Sequence, residues 1–138
     1  MSRRLTAALA CALLAVGAIA APASADEWVY ASGPAGQSAG FVPPAFVIFE
    51  GDTATYRNID IASHDVRSTE FGPDRPWCTQ FPFNFQSGGC PLFTSRLIGL
   101  AGESPIYGIE DAPPGTHAFI CTLHSNMDGF LVVLERPA

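Results

Sequence analysis

The chain has 138 residues, 48% of them apolar and 14% charged, which suits one folded domain and excludes both a disordered chain and a multidomain enzyme. Thirteen Asp and Glu stand against seven Arg and no Lys, an acid excess that argues against nucleic-acid binding, which needs a basic footprint. Thirteen Gly and twelve Pro imply many turns and argue against a helical bundle.

The first residues carry an export pattern. Met1-Ser2-Arg3-Arg4 is short and positive, Leu5 to Ala21 is almost wholly apolar, and Ala23-Ser24-Ala25 offers small residues for cleavage. This predicts a signal peptide over 1–25 and a mature domain over 26–138, periplasmic or secreted. A retained anchor, or a lipoprotein cut before Cys11, fits the pattern less well. No later apolar run is long enough to span a membrane. Without Arg3 and Arg4 the domain has five Arg against thirteen acids, a net charge of −8.

Strands are predicted in chain order over 27–32, 45–50, 53–59, 63–69, 94–100, 104–110, 116–121 and 129–136, with loop over 33–40. Gly51-Asp52 and Pro113-Pro114-Gly115 read as turns. The stretch 71–93 is irregular, with four Pro, two Cys and six aromatic residues. About eight short strands and no amphipathic helix mean an all-β sandwich or barrel.

Export makes the cysteines informative. Cys11 leaves with the signal, so the mature chain keeps Cys78, Cys90 and Cys121. Cys78 and Cys90 share one Pro- and Gly-rich stretch and are the natural disulfide pair, the alternative being a second metal site. Cys121 is left over. It begins the run Cys121-x-x-His124-x-x-Met127 just after a predicted strand. A thiolate, an imidazole and a thioether are soft or borderline ligands that suit copper, and two His, one Cys and a weak axial Met make an electron-transfer copper site. The second His must be His64 or His117. Four residues of strand put His117 about 13 Å from Cys121, too far to share an ion. The expected ligand set is therefore His64, Cys121, His124 and Met127, with His117 a packed or hydrogen-bonded strand residue.

Four pieces of sequence resemble the cupredoxin family of small blue-copper proteins, in particular amicyanin-like, plastocyanin-like and pseudoazurin-like members. They are Phe41-x-Pro43, Gly51-Asp52-Thr53-x-Thr55-Tyr56, Asn58-x-Asp60-x-x-x-His64-x-Val66, and the run from Pro114-Gly115-Thr116 through Phe119, Cys121, His124 and Met127 to Gly129. The resemblance covers roughly 41–135. It implies a Greek-key β-sandwich, one copper ion cycling between Cu(I) and Cu(II), and electron transfer without substrate turnover. The implied partner is a redox protein, and the acidic charge favours one with a basic patch. A monomer is expected. Rival readings are a copper carrier or store and a metal-free binding module.

Three departures stand out. Asp65 follows the first ligand His where members of the family usually carry Asn, with Thr122 as its expected partner. His117 replaces a common aromatic. The 71–93 segment lengthens the path from His64 to Cys121 and is either a docking flap or a structural cover.

Overall fold

The computed structural model describes residues 26–31, 40–80 and 89–138. The predicted signal peptide, the 33–39 part of the predicted loop and the aromatics Phe81, Phe83 and Phe85 lie outside the described residues.

Among the described residues, eight strands form two four-stranded sheets. They are β1 (Asp26–Ala31), β2 (Phe41–Val42), β3 (Ala45–Phe49), β4 (Thr53–Asn58), β5 (Arg67–Ser68), β6 (Glu103–Pro105), β7 (Gly115–Ile120) and β8 (Asp128–Leu134). One sheet runs β2-β1-β4-β6 and the other β3-β8-β7-β5. Both are mixed: β1 lies parallel to β4 and β3 parallel to β8, while the remaining neighbours are antiparallel. The all-β sandwich expected from the sequence is thus the observed architecture.

Two predicted strands are largely absent. Over 63–69 only Arg67–Ser68 is strand, and over 94–100 only single bridges form, at Thr94 and Ile98. Side-chain bonds interrupt the ladder there, between backbone bonds such as that from the Ser95 amide to the Val66 carbonyl at 2.8 Å. Ser95 Oγ accepts from the Val66 amide at 2.8 Å, and Ser104 Oγ accepts from the Arg96 amide at 2.9 Å. Competition of this kind from Ser and Thr is what interrupts regular pairing. The strand predicted over 104–110 is reduced to Glu103–Pro105 and followed by a short 3-10 helix over Ile109–Asp111.

The core follows the period of two. Phe46 and Ile48 of β3, Ala54, Tyr56 and Asn58 of β4, His117 and Phe119 of β7, and Leu131 and Val133 of β8 point inward. Each fully buried large apolar side chain contributes roughly 1.5–3 kcal/mol. Phe119 is the hub. Its ring meets those of Phe41, Phe46 and Phe93 edge-on, at centroid distances of 4.9, 5.8 and 6.4 Å. The chain turns from β3 to β4 where Gly51 takes a φ of +83° and the Asp52 carboxylate accepts from the Phe49 amide at 3.0 Å.

The irregular stretch after Glu70 is tied at its base. Leu92 donates to the Glu70 carbonyl and Gly72 to the Cys90 carbonyl, both at 2.8 Å. Cys78 and Cys90 are joined in a disulfide with Cα atoms 5.8 Å apart, as the sequence predicts. Trp77 lies directly on Gly108: a Cβ there would fall 2.6 Å from Cζ2 of its ring. Among the described residues, Trp77 thus ties this segment down onto the domain. Among the described residues no helix is long and apolar enough to cross a membrane.

Candidate metal centre

At one end of the sandwich, β7 hands over to a tight loop. Cys121 follows the last residue of β7 and keeps the inward direction of Phe119. Its amide donates to the Met127 carbonyl at 2.9 Å, and the Met127 amide donates to the His124 carbonyl at 3.1 Å. These two bonds close the loop before β8 begins. Cys121 and Met127 are both buried, and His124 is partly exposed. His64 enters from the other sheet's loops. It makes a single bridge with Ile98, donating and accepting backbone bonds at 3.0 Å, and its side chain is fully buried.

Three ligand atoms converge. Cys121 Sγ lies 3.7 Å from His64 Nδ1 and 3.6 Å from His124 Nδ1, and the two Nδ1 atoms are 3.0 Å apart. The circle through them has a radius of about 2 Å, which matches bonds of about 2.0 Å to imidazole nitrogen and about 2.3 Å to thiolate sulfur. The thiol is buried and free. Burial pushes it up from its ordinary 9.0, with the backbone N–H groups of Asp65, Leu123 and His124 pulling the other way and the charge of Asp65 adding to the rise. The residues thus fit a metal ion, and the mixture of thiolate and imidazole suits copper.

The second ring of residues is specific. The Thr122 amide and hydroxyl both donate to the Asp65 carboxylate, each at 2.7 Å. His64 Nε2 donates to Asp60 Oδ2 at 2.8 Å. Sequence reasoning placed Asp60 in a motif but gave it no task. The signal was its position four residues before His64, and only the folded loop shows the contact. Tyr56 sits close by with its hydroxyl buried and without a hydrogen-bond partner. Burial, then the charges of Cys121, Asp65 and Asp60, hold that phenol far above its ordinary 10.0.

His117 is engaged elsewhere. Its Nδ1 lies 3.0 Å from Glu70 Oε2 and its Nε2 2.8 Å from the Pro113 carbonyl oxygen. Among the described residues, His64, Cys121 and His124 are the group brought together for a metal.

No protein-family model and no curated protein sequence matches the chain. Solved structures do. A purple cupredoxin from Nitrosopumilus maritimus aligns at 17% identity and a TM-score of 0.55, over 79% of this chain and all of that one. The chain has the cupredoxin fold. A reduced amicyanin variant aligns at 20% identity and a TM-score of 0.54, over 81% of this chain and 85% of its own. A copper-containing nitrite reductase from Thermus scotoductus aligns at 22% identity and a TM-score of 0.53, over 83% of this chain and 23% of its own. On this fold the His64, Cys121 and His124 cluster could hold one metal ion, and its mixture of thiolate and imidazole suits copper.

Proposed function

We propose that the chain is an exported mononuclear type 1 copper protein that carries electrons between redox partner proteins. His64, Cys121 and His124 hold the metal in a near-trigonal plane, and Met127 is the weak fourth ligand. When bound, copper supplies a one-electron couple between Cu(I) and Cu(II). The observation that carries this reading is the triangle of 3.0, 3.6 and 3.7 Å assembled from a buried thiol and two imidazoles.

The surroundings suit a carrier. His64 and Cys121 are fixed by sheet and loop backbone bonds, so the donors keep one arrangement in both charge states. His124 is the ligand nearest solvent. Next to it in sequence Leu123 is 55% exposed, and Ile61 and Leu100, in the loops on either side of the His64–Ile98 bridge, are 76% and 61% exposed, apolar side chains on which a partner can seat. The acid excess of the chain favours a partner with a basic patch around its own contact. The amicyanin neighbours are described in both Cu(I) and oxidised forms, which supports redox cycling on this fold.

Copper added to purified copper-free protein is expected to give an intense visible band from thiolate to Cu(II). Electron exchange with a redox protein should then be fast and reversible, and copper loss to a chelator slow. Ready loss with sluggish redox cycling identifies a copper-handling protein instead. No copper uptake at all identifies a metal-free binding module.

A further inference from the structure

We infer that Asp60 is a positioning residue that locks the His64 ring and biases the copper site toward its oxidised form, an inference that rests on the ligand set proposed above. His64 and Asp60 side chains are 0% and 2% exposed, and Nε2 meets Oδ2 at 2.8 Å. The other carboxylate oxygen accepts from the Ile61 amide at 2.7 Å. The carboxylate is itself held. The Asp60 amide donates to Asn58 Oδ1 at 2.8 Å, and Asn58 Nδ2 donates to the Ala62 and Ile98 carbonyls at 2.6 and 2.9 Å. Asn58 is fully buried, so the whole 58–64 loop is braced from inside. This explains the Asn58-x-Asp60-x-x-x-His64 spacing: Asn58 shapes the loop, Asp60 aims at the ring, and His64 faces Cys121.

The chemistry follows from the inventory of donors. A carboxylate oxygen 2.8 Å from Nε2 favours the proton on that nitrogen, which leaves Nδ1 to face Cys121 and His124. A neutral carbonyl would fix that tautomer equally well. A carboxylate does more: it draws on the Nε2 proton, makes Nδ1 a stronger donor, and places negative charge inside the protein close to the ion. Both effects stabilise the doubly charged ion more than the singly charged one. Asp65, fully buried and anchored on Thr122, acts in the same sense from the thiolate side.

Asp60→Asn keeps shape and an acceptor oxygen but removes the charge. Cu(II) affinity is expected to fall about 10- to 100-fold, the usual cost of losing such a partner. Cu(I) affinity should fall less, so the reduction potential rises, by about 59 mV for each tenfold difference. Affinities by chelator competition and the potential by redox titration read this directly. An unchanged potential in copper-loaded Asp60→Asn overturns the bias, because a merely structural residue would move stability and not the potential. Should the variant fail to fold, nitrogen-15 NMR of the copper-free wild type decides: His64 is expected as the Nε2–H tautomer with a slowly exchanging proton. An Nδ1–H tautomer there overturns the positioning role. Failure of the wild type to take up copper overturns the functional reading and the bias together, while the tautomer result still decides whether Asp60 orients the ring.

Discussion

Placing a methyl group at Gly129 should strain the centre of the sandwich by an amount that Phe119 can report. In β8, Gly129 stands directly opposite Phe119 of β7. A Cβ at 129 would lie 2.7 Å from Phe119 Cε2, closer still to Cζ, and 2.9 Å from the Pro44 carbonyl oxygen. The ring cannot swing aside, because it is fully buried against Phe41, Phe46 and Phe93. Overpacking of this kind costs about 1–3 kcal/mol. Phe119→Leu on its own loses three edge-on ring contacts, each worth roughly 0.5–1.5 kcal/mol beyond area burial. In the double variant the shorter leucine makes room for the methyl. The pair should therefore cost less than the two singles added together, by about 0.5–1.5 kcal/mol, within the range seen for touching residues. The rescue is partial, since the Pro44 carbonyl is held by the Phe130 amide at 2.9 Å and stays where it is. Denaturant unfolding of copper-free protein with the disulfide intact measures all four corners of the cycle. Additivity to within about 0.5 kcal/mol would refute the reasoning, because it would mean that ring and glycine do not share space.

Cys121→Ser should abolish the thiolate-to-copper band, whereas His117→Phe should leave it intact, because the His117 ring is occupied by Glu70 and Pro113; visible spectra of the two variants check this. Thiol titration of unfolded, copper-free mature protein should find one reactive thiol, and reducing the Cys78–Cys90 bridge should cost roughly 3 kcal/mol of stability in the chain-entropy model. Tyr56→Phe should stabilise the fold by about 1 kcal/mol, since it removes a buried hydroxyl that has no partner. The folded state holds that phenol's proton well above 10.0, so wild-type stability should decline as pH rises past about 10 as the unfolded chain ionises, and thermal melts of Tyr56→Phe should lack that component.

The Cys121 to Met127 loop was readable because its ligand atoms are close in sequence, so local spacing already states the geometry. The strands at 45–50, 53–59, 116–121 and 129–136 were readable because alternation survives wherever one face is buried. What stayed hidden depends on three-dimensional neighbours. The His64 segment carries β-branched and polar residues that read as a strand, yet Asn58 and Asp60 direct hydrogen bonds into the 58–64 loop, and regular pairing resumes only at Arg67 and Ser68. The Asp60 contact needs a buried ring turned to one side, which no spacing rule reports. The parallel pairings of β1 with β4 and of β3 with β8 follow from how distant segments meet, and strand patterns carry no such information.

That last pairing orders events in time. β3 finds its partner in β8, Ala45 beside Phe130 and Phe49 beside Leu134, across most of the domain. Beyond them, Arg136 reaches back to the Glu50 carbonyl and pairs with Asp52. A chain that emerges amino-terminus first can therefore complete its first sheet, β2-β1-β4-β6, while the second still lacks both of its central strands, β7 and β8. Only the final residues join β3 to β7, and contacts of such long range form slowly. The same closing step brings Met127 up against Cys121, so the assembly of the metal loop and the completion of the fold are a single event at the end of the chain.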